Sequence, residues 1–149
     1  MQVKIGVNFT ALRGQTPFHM ACEKGHLDVV EILLKKSQEL GMDLNAQDDY
    51  GRTAFHLACL NDHLDVAQFL IKNSLNLKID LTIKDNNGAT PFHLACRNDH
   101  LDGTQFLIKN STNLKIDLTI QDNEGSTVLH VACAKNDSQT AEILLKDHM

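Results

Sequence analysis

Residues 88–96 read GATPFHLAC, and the same frame returns as GQTPFHMAC at 14–22, GRTAFHLAC at 51–59 and GSTVLHVAC at 125–133. Gly14, Gly51, Gly88 and Gly125 lie 37 residues apart, and His19, His56, His93 and His130 keep that step. So do Cys22, Cys59, Cys96 and Cys133. Residues 51–87 and 88–124 are identical at 29 of 37 positions, sharing QFLIKNS and NLKIDLTI. A period of this length marks an architecture in which one supersecondary unit recurs and stacks on itself.

Each unit spells out the same local structure. A polar turn ending in glycine (DDYG, DNNG, DNEG) leads to a threonine, whose side chain can cap a helix. Proline follows in two units, at the first helical position, where its missing N–H does no harm. A short helix is predicted over stretches like TPFHLACRN. It ends at Gly25, Asp62, Asp99 or Asn136, residue types that tolerate a left-handed helix end. A second helix begins at HLDVVEILL or HLDVAQFLI, with Leu64, Ala67, Leu70 and Ile71 on one face. Neither helix can bury its apolar face alone. The predicted fold is therefore all-α, a helical solenoid.

Taken together, G-x-T-P-F-H-L-A-C…D-H-L-D-V-A-Q-F-L-I…D-L with its D-x-x-G turn resembles the ankyrin repeat. The resemblance covers essentially the whole chain, in three full repeats and a fourth that stops inside its second helix. They fall near 11–47, 48–84, 85–121 and 122–149, read as a single domain over 1–149 and as a fragment of a longer chain. The resemblance implies helix–loop–helix units with hairpin-like loops, stacked at the ~10 Å spacing of packed helices. The family's period is about 33 residues, so each unit here carries four more, near KSQEL and NSLNL. The simplest reading is one further turn of the second helix, ~6 Å, bringing Leu40, Leu77 and Leu114 into the inter-repeat groove; a wider loop is the alternative. Gly41 fits the family's helix-ending glycine, whereas Lys78 and Lys115 do not. Ala54 and Val128 replace the first-turn proline and are expected to weaken capping locally. Gly103 inside a second helix costs about 1 kcal/mol relative to alanine, which makes the third repeat the expected soft unit.

Histidine and cysteine three positions apart admit three readings. A zinc site needs four convergent ligands, yet stacked repeats offer at most two to any one point. A disulfide fails on the same geometry, because the Cα atoms would lie beyond the ~7 Å limit. Nucleophilic catalysis needs a Cys–His contact, an orienting group and an oxyanion site, and nothing explains building that set four times. The structural reading accounts for every column. Each cysteine follows an alanine (Ala21, Ala58, Ala95, Ala132), and a free cysteine acts as a small apolar residue where helices approach. By resemblance, Thr16–His19, Thr53–His56, Thr90–His93 and Thr127–His130 form a network with the adjacent loop that ties units together. No catalytic residue, metal or cofactor is assigned. Four unpaired, buried thiols would suit a reducing, cytoplasmic compartment.

The second histidines, His26, His63 and His100, are read as helix-start packing, with Asp137 in their place in the fourth repeat. Asp48, Asp85 and Asp122 could suggest calcium, but the loops lack oxygen ligands at alternating positions, so turn formation and backbone capping are expected. The segment DLN, 43–45, resembles the context in which hydroxylases modify ankyrin-repeat asparagines, at Asn45; Thr82 and Thr119 stand there in later repeats.

Composition narrows the function. Hydrophobic residues make up 42% and charged residues 22% of the chain, as in globular proteins. The net charge is −5, with 14 scattered basic residues, which argues against nucleic acid or an anionic membrane as main partner. No apolar run approaches the ~20 residues needed to cross a bilayer, and MQVKIGVNFT lacks the apolar segment of a signal peptide. By resemblance, a protein partner is bound by the loop tips and the outward side of the first helix. Mapped by position, that surface holds Glu23 and Lys24; Tyr50, Arg52, Leu60 and Asn61; Asn86, Asn87, Arg97 and Asn98; and Asn123 and Glu124. A tyrosine, an arginine and an aliphatic close together (Tyr50, Arg52, Leu60) suit a binding hot spot. The leading expectation is a non-catalytic protein-binding module. The alternative is an assembly scaffold, a spacer or a self-associating stack, with weak self-association through an uncapped fourth repeat exposing Ile143 and Leu144 or their neighbours.

Overall fold

The computed structural model describes residues 5–98, 101–114 and 116–146, without the side chains of 101, 102, 112 and 113. Among these residues there are eight α-helices and no strand. After a 3-10 turn at Leu12–Gly14 come α1 (Pro17–Lys24), α2 (Leu27–Leu40), α3 (Ala54–Leu60) and α4 (Leu64–Leu77). They are followed by α5 (Pro91–Arg97), α6 (Leu101–Asn113), α7 (Val128–Ala134) and α8 (Ser138–Lys146). Each odd helix pairs with the even helix after it, and the units stack in chain order, α1 on α3 on α5 on α7 in one row and α2 on α4 on α6 on α8 in the other.

The first helices start where the sequence places a cap. Thr16, Thr53, Thr90 and Thr127 each accept from the backbone N–H of the histidine three residues on, while the threonine's own N–H donates to that histidine's Nδ1. This is a capping box with histidine where glutamate is usual. Ala54 and Val128 do not disturb it, since Thr53 and Thr127 make the same bonds as the Pro-containing units. Helix ends follow backbone chirality: Gly25, Asp62 and Asn136 have φ of 71°, 57° and 56°. Asp99 lies outside the described residues.

The four extra residues per repeat are helical. Both α2 and α4 run 14 residues without a break, which excludes the wider loop there. The added turn carries a buried serine column, Ser37, Ser74 and Ser111, whose Oγ atoms donate back to the carbonyls of Leu34, Ile71 and Leu107 at 2.7–2.8 Å. Lys78 corrects the expectation drawn from its side chain: it ends α4 in the left-handed region at φ 56°, as Gly41 ends α2 at 65°. The following amide of Ile79 donates to Ser74 O at 2.9 Å. That bond offsets the cost of a side chain in the left-handed conformation, about 1 kcal/mol or more. Lys115 lies outside the described residues. The three leucines do not act alike. Leu77 packs against the core, Leu114 lines a groove between α4 and α6 while remaining partly open, and Leu40 is exposed.

The core runs continuously through the stack. Phe18, Phe55 and Phe92 form one buried column, with the last two rings edge to face at 5.6 Å between centroids. Ala58, Ala95, Cys22, Cys59 and Cys96 are buried beside them, small enough for adjacent helices to close up. At Gly103 an added Cβ would meet the Asp62 carboxylate of the preceding repeat.

Candidate protein-interaction surface

The histidines are fixed by partners on both sides. In the first three repeats Nε2 reaches a backbone carbonyl 33 residues on: His19 to Arg52 at 2.9 Å, His56 to Ala89 at 3.0 Å, His93 to Ser126 at 2.8 Å. A carbonyl can only accept, so Nε2 carries the proton; the threonine N–H can only donate, so Nδ1 holds a lone pair. The rings are thereby neutral Nε2–H tautomers. Burial lowers the pKa of His56 and His93, outweighing the raising effect of their carbonyl bonds and nearby aspartates. None of these ring nitrogens is left for a cysteine or a metal.

The thiols agree. Burial pushes Cys22 and Cys59 well up and Cys96 to about 12. Each therefore stays protonated at neutral pH, and a thiol is a poor nucleophile and ligand. All four cysteines are free, but Cys133 is exposed, which corrects the expectation of four buried thiols. Among the described residues no three His, Cys, Asp or Glu side chains are grouped as a metal site would require.

The loop tips are built around one aspartate each. Asp48 Oδ1 accepts the amides of Tyr50 and Arg52, Asp85 Oδ1 those of Asn87 and Ala89, and Asp122 Oδ1 those of Glu124 and Ser126, all at 2.9–3.0 Å. These carboxylates are turn anchors. Burial opposes ionising Asp122, but its two amides, Arg97 and His93 prevail and hold its pKa below the ordinary value. Gly51 sits at φ 75°, and a Cβ there would lie 2.8 Å from the Asn86 backbone nitrogen, so the tip demands glycine twice over.

Successive tips are laced together. The amides of Asp49, Asn86 and Asn123 donate to the carbonyls of Arg13, Tyr50 and Asn87. The carboxamides of Asn86 and Asn123 add bonds to Asp49 O and Asn86 O at 3.0 and 3.1 Å. Both asparagines are thus hydrogen-bonded into the neighbouring tip, though exposed. Asn98 Nδ2 reaches Cys59 O in the preceding repeat, and Asn61 Nδ2 bonds Leu57 O in its own helix. Glu23, Lys24, Asn87 and Glu124 sit on the surface at helix ends and tips.

Two arginines serve the tip aspartates. Arg97 Nη2 donates to Asp122 Oδ2 at 2.6 Å, and Arg52 Nε lies 3.7 Å from Asp85 Oδ2. The Arg52 guanidinium also lies 5.6 Å from the centre of the Tyr50 ring, which is 53% exposed. Leu60 is half-buried nearby in sequence at the end of α3. Asp48 Oδ2 is buried with no partner among the described residues.

Some ties between repeats escape a reading of the sequence. Asn45 Nδ2 donates to Lys78 O at 3.0 Å while its Oδ1 accepts from Asp80 N at 2.8 Å, and Asn8 does the same to Gly41 and Asp43. Asn8 and Asn45 are 37 residues apart, so carrying the period upstream of Gly14 exposes the pair. Of the second histidines, His63 Nε2 bonds Glu23 O at 2.7 Å, and His26 precedes α2 without a side-chain cap. His100 lies outside the described residues. Asp137 is a true cap, accepting from Thr140 N at 3.1 Å. On the other side of the stack a groove of 390 Å3 opens between α4 and α6, over Ile71, Leu75 and Leu114.

A family model of ankyrin repeats (three copies) matches residues 2–85 and 74–149. The chain belongs to the ankyrin repeat family, as its capping boxes, laced tips and stacked helix pairs require. Ankyrin repeats are generally protein–protein interaction modules and typically non-catalytic. Among the described residues no helix is long and apolar enough to cross a membrane.

Proposed function

We propose that this chain binds a protein partner through its loop tips and the exposed side of its first helices, with Tyr50 and Arg52 as the anchor. The observation that carries this reading is the Arg52–Tyr50 pair. The Arg52 guanidinium lies against the exposed Tyr50 ring, with its Nε 3.7 Å from the Asp85 carboxylate. A large amphipathic surface of the kind that anchors protein interfaces is thereby presented at one loop tip. Leu60, Asn61, Glu23, Lys24, Asn87 and Glu124 would extend the contact; Asn86, Asn123, Arg97 and Asn98 would contribute less, since their side chains already hold neighbouring repeats. The thiols of Cys22, Cys59 and Cys96 are free and buried, which suits the reducing cytoplasm. Affinity capture with wild type, followed by calorimetric titration of the captured protein against Tyr50→Ala and Arg52→Ala, tests this. Each substitution should weaken binding at least about tenfold, ~1.4 kcal/mol, with thermal stability nearly unchanged. Equal binding by both variants would contradict it.

The alternative, an assembly scaffold using the fourth repeat, would involve other residues than those expected. Leu144 does not contribute, being buried at 4% exposure, and Ile143 is half-buried; Leu145, at 54%, is the exposed residue.

A further inference from the structure

The groove of 390 Å3 between α4 and α6 shares no residue with the loop tips. Gln68, Ile71, Lys72 and Leu75 stand at i, i+3, i+4 and i+7 of α4, a single stripe of a 3.6-residue helix. Asn110 of α6 and Leu114 just beyond it complete the lining. Leu75 is 83% exposed and Leu114 41%, so the apolar part of the groove lies open. Lys72 supplies its charge, and no carboxylate lines it among the described residues. That is a local reversal of sign on a chain whose net charge is −5.

The repeat period supplies a control, because the chain makes the same junction one repeat earlier, between α2 and α4. There Glu31 and Gln38 take the places of Gln68 and Leu75, and Leu77 takes that of Leu114. Leu77 packs against the core, whereas Leu114 remains partly open. Leu75 in place of glutamine adds apolar surface at the rim. Gln68 in place of glutamate removes a negative charge four residues before Lys72. The fourth repeat shows what that charge does: Glu142, at the matching place in α8, pairs with Lys146 at 3.4 Å. Gln68 carries no charge and cannot balance Lys72 in that way. The second junction is therefore both more apolar and more cationic than the first.

We infer that this groove docks an acidic amphipathic helix of a partner protein. Its apolar side chains lie over Ile71, Leu75 and Leu114, and a carboxylate on its flank meets Lys72. Helices are taken into apolar grooves by anchors at i, i+3 or i+4, and i+7. Charge selects among the occupants. A basic helix would set a like charge against Lys72 as water is excluded, which is unfavourable. An uncharged one would cover the ammonium without giving it a partner. A separate protein is assigned as the source because ankyrin repeats are generally protein–protein interaction modules. This second surface goes beyond the loop-tip reading and does not depend on it.

The test selects displayed random peptides of about 16 residues, four to five helical turns, on wild type, with soluble Leu75→Glu as competitor. Leu75 and Lys72 are exposed, so their variants should fold, which far-UV circular dichroism checks. Enriched peptides should be net negative, with Leu, Ile or Phe at helical spacing. In calorimetric titration of the leading peptide, Leu75→Glu and Lys72→Glu should each weaken binding at least about tenfold. A peptide with lysine for its glutamates should bind Lys72→Glu better than wild type. Tyr50→Ala should bind as wild type does, which separates this surface from the loop tips. No enrichment, neutral or basic winners, or an unchanged affinity in Lys72→Glu would overturn the proposal. Wild-type dimers in sedimentation that vanish in Leu75→Glu would give the groove to a second copy instead. Peptides that bind these 149 residues, but not the chain expressed with any sequence flanking it in its gene, would give the groove to that sequence; either result overturns the partner helix.

Discussion

His56 Nε2 donates to the carbonyl of Ala89, 3.0 Å away and 33 residues on, while its Nδ1 takes the N–H of Thr53 at 3.0 Å. One buried ring thus caps its own helix and binds the next repeat. His56→Ala removes both bonds and opens a cavity, so it should cost about 3 kcal/mol of unfolding free energy. The equivalent change at exposed His130, which has no onward bond among the described residues, should cost about 1 kcal/mol, the worth of a cap. Urea denaturation of the two variants checks the order; equal losses would remove the inter-repeat bond from the account.

Stability should fall on mild acidification. Burial sets the folded-state pKa of His56 and His93 below the unfolded value. As pH drops below about 6.5 the unfolded chain takes up protons that the folded chain refuses, so stability present above that pH is lost as pH falls through the folded values. The melting temperature should decline from pH ~7 towards pH ~5, with a shallower slope in His56→Gln/His93→Gln. Asp122, whose pKa is also lowered, acts in a separate window, losing its contribution only below pH ~4. A flat profile between neutrality and pH ~5 would contradict the histidine account.

Among the described residues Asp48 is the tip aspartate without a cation. Glu23 occupies the position that Arg97 holds two repeats later, where Arg97 meets Asp122 at 2.6 Å. Glu23→Arg should place a guanidinium on Asp48 Oδ2 and remove a neighbouring negative charge. The Arg97 side chain that it copies remains 39% exposed. The gain is therefore set at about 1 kcal/mol, below a fully buried charge-assisted bond. Thermal unfolding should rise by a few degrees; no rise would show that the buried oxygen is satisfied in another way.

Asn45 bridges its repeat to the next, whereas Thr82 and Thr119 in later repeats turn back to Asp80 and Asp117. Asn45→Thr should therefore convert the first junction to the later kind, at a cost of about 1 kcal/mol for two partly exposed bonds. Hydrogen exchange should quicken at Asp80 N, the amide that Asn45 Oδ1 holds. An unchanged rate there would mean the bridge does not order the junction.

The helices are legible because local signals agree: Thr before the first turn, histidine at the third position, an apolar stripe, and Gly, Asp or Asn at the break. Lys78 departs from expectation because residue preference competes there with a helix end fixed locally by the Ile79 amide on Ser74 O and from the preceding repeat by the Asn45 carboxamide on Lys78 O. Leu40 departs from it because an added turn changes which face a residue presents, and period alone does not give the partner. At the candidate surface, Tyr50 and Arg52 can be picked out by residue type. Asn8 and Asn45 can be paired by the period but the backbone groups they bridge cannot, nor can the lacing of Asn86 and Asn123, since bonds to the backbone leave no mark on the partner's identity.

The central claim is that the histidine columns hold the stack together and perform no chemistry. Long-range proton–nitrogen NMR of the imidazole rings tests it most directly, by reading which nitrogen carries the proton with and without added zinc. The account predicts that His56 and His93 show a protonated Nε2 and a bare Nδ1, persisting below the pH at which free histidine titrates and unmoved by the metal. A protonated Nδ1, ordinary titration, or a zinc-induced shift at either ring would contradict it.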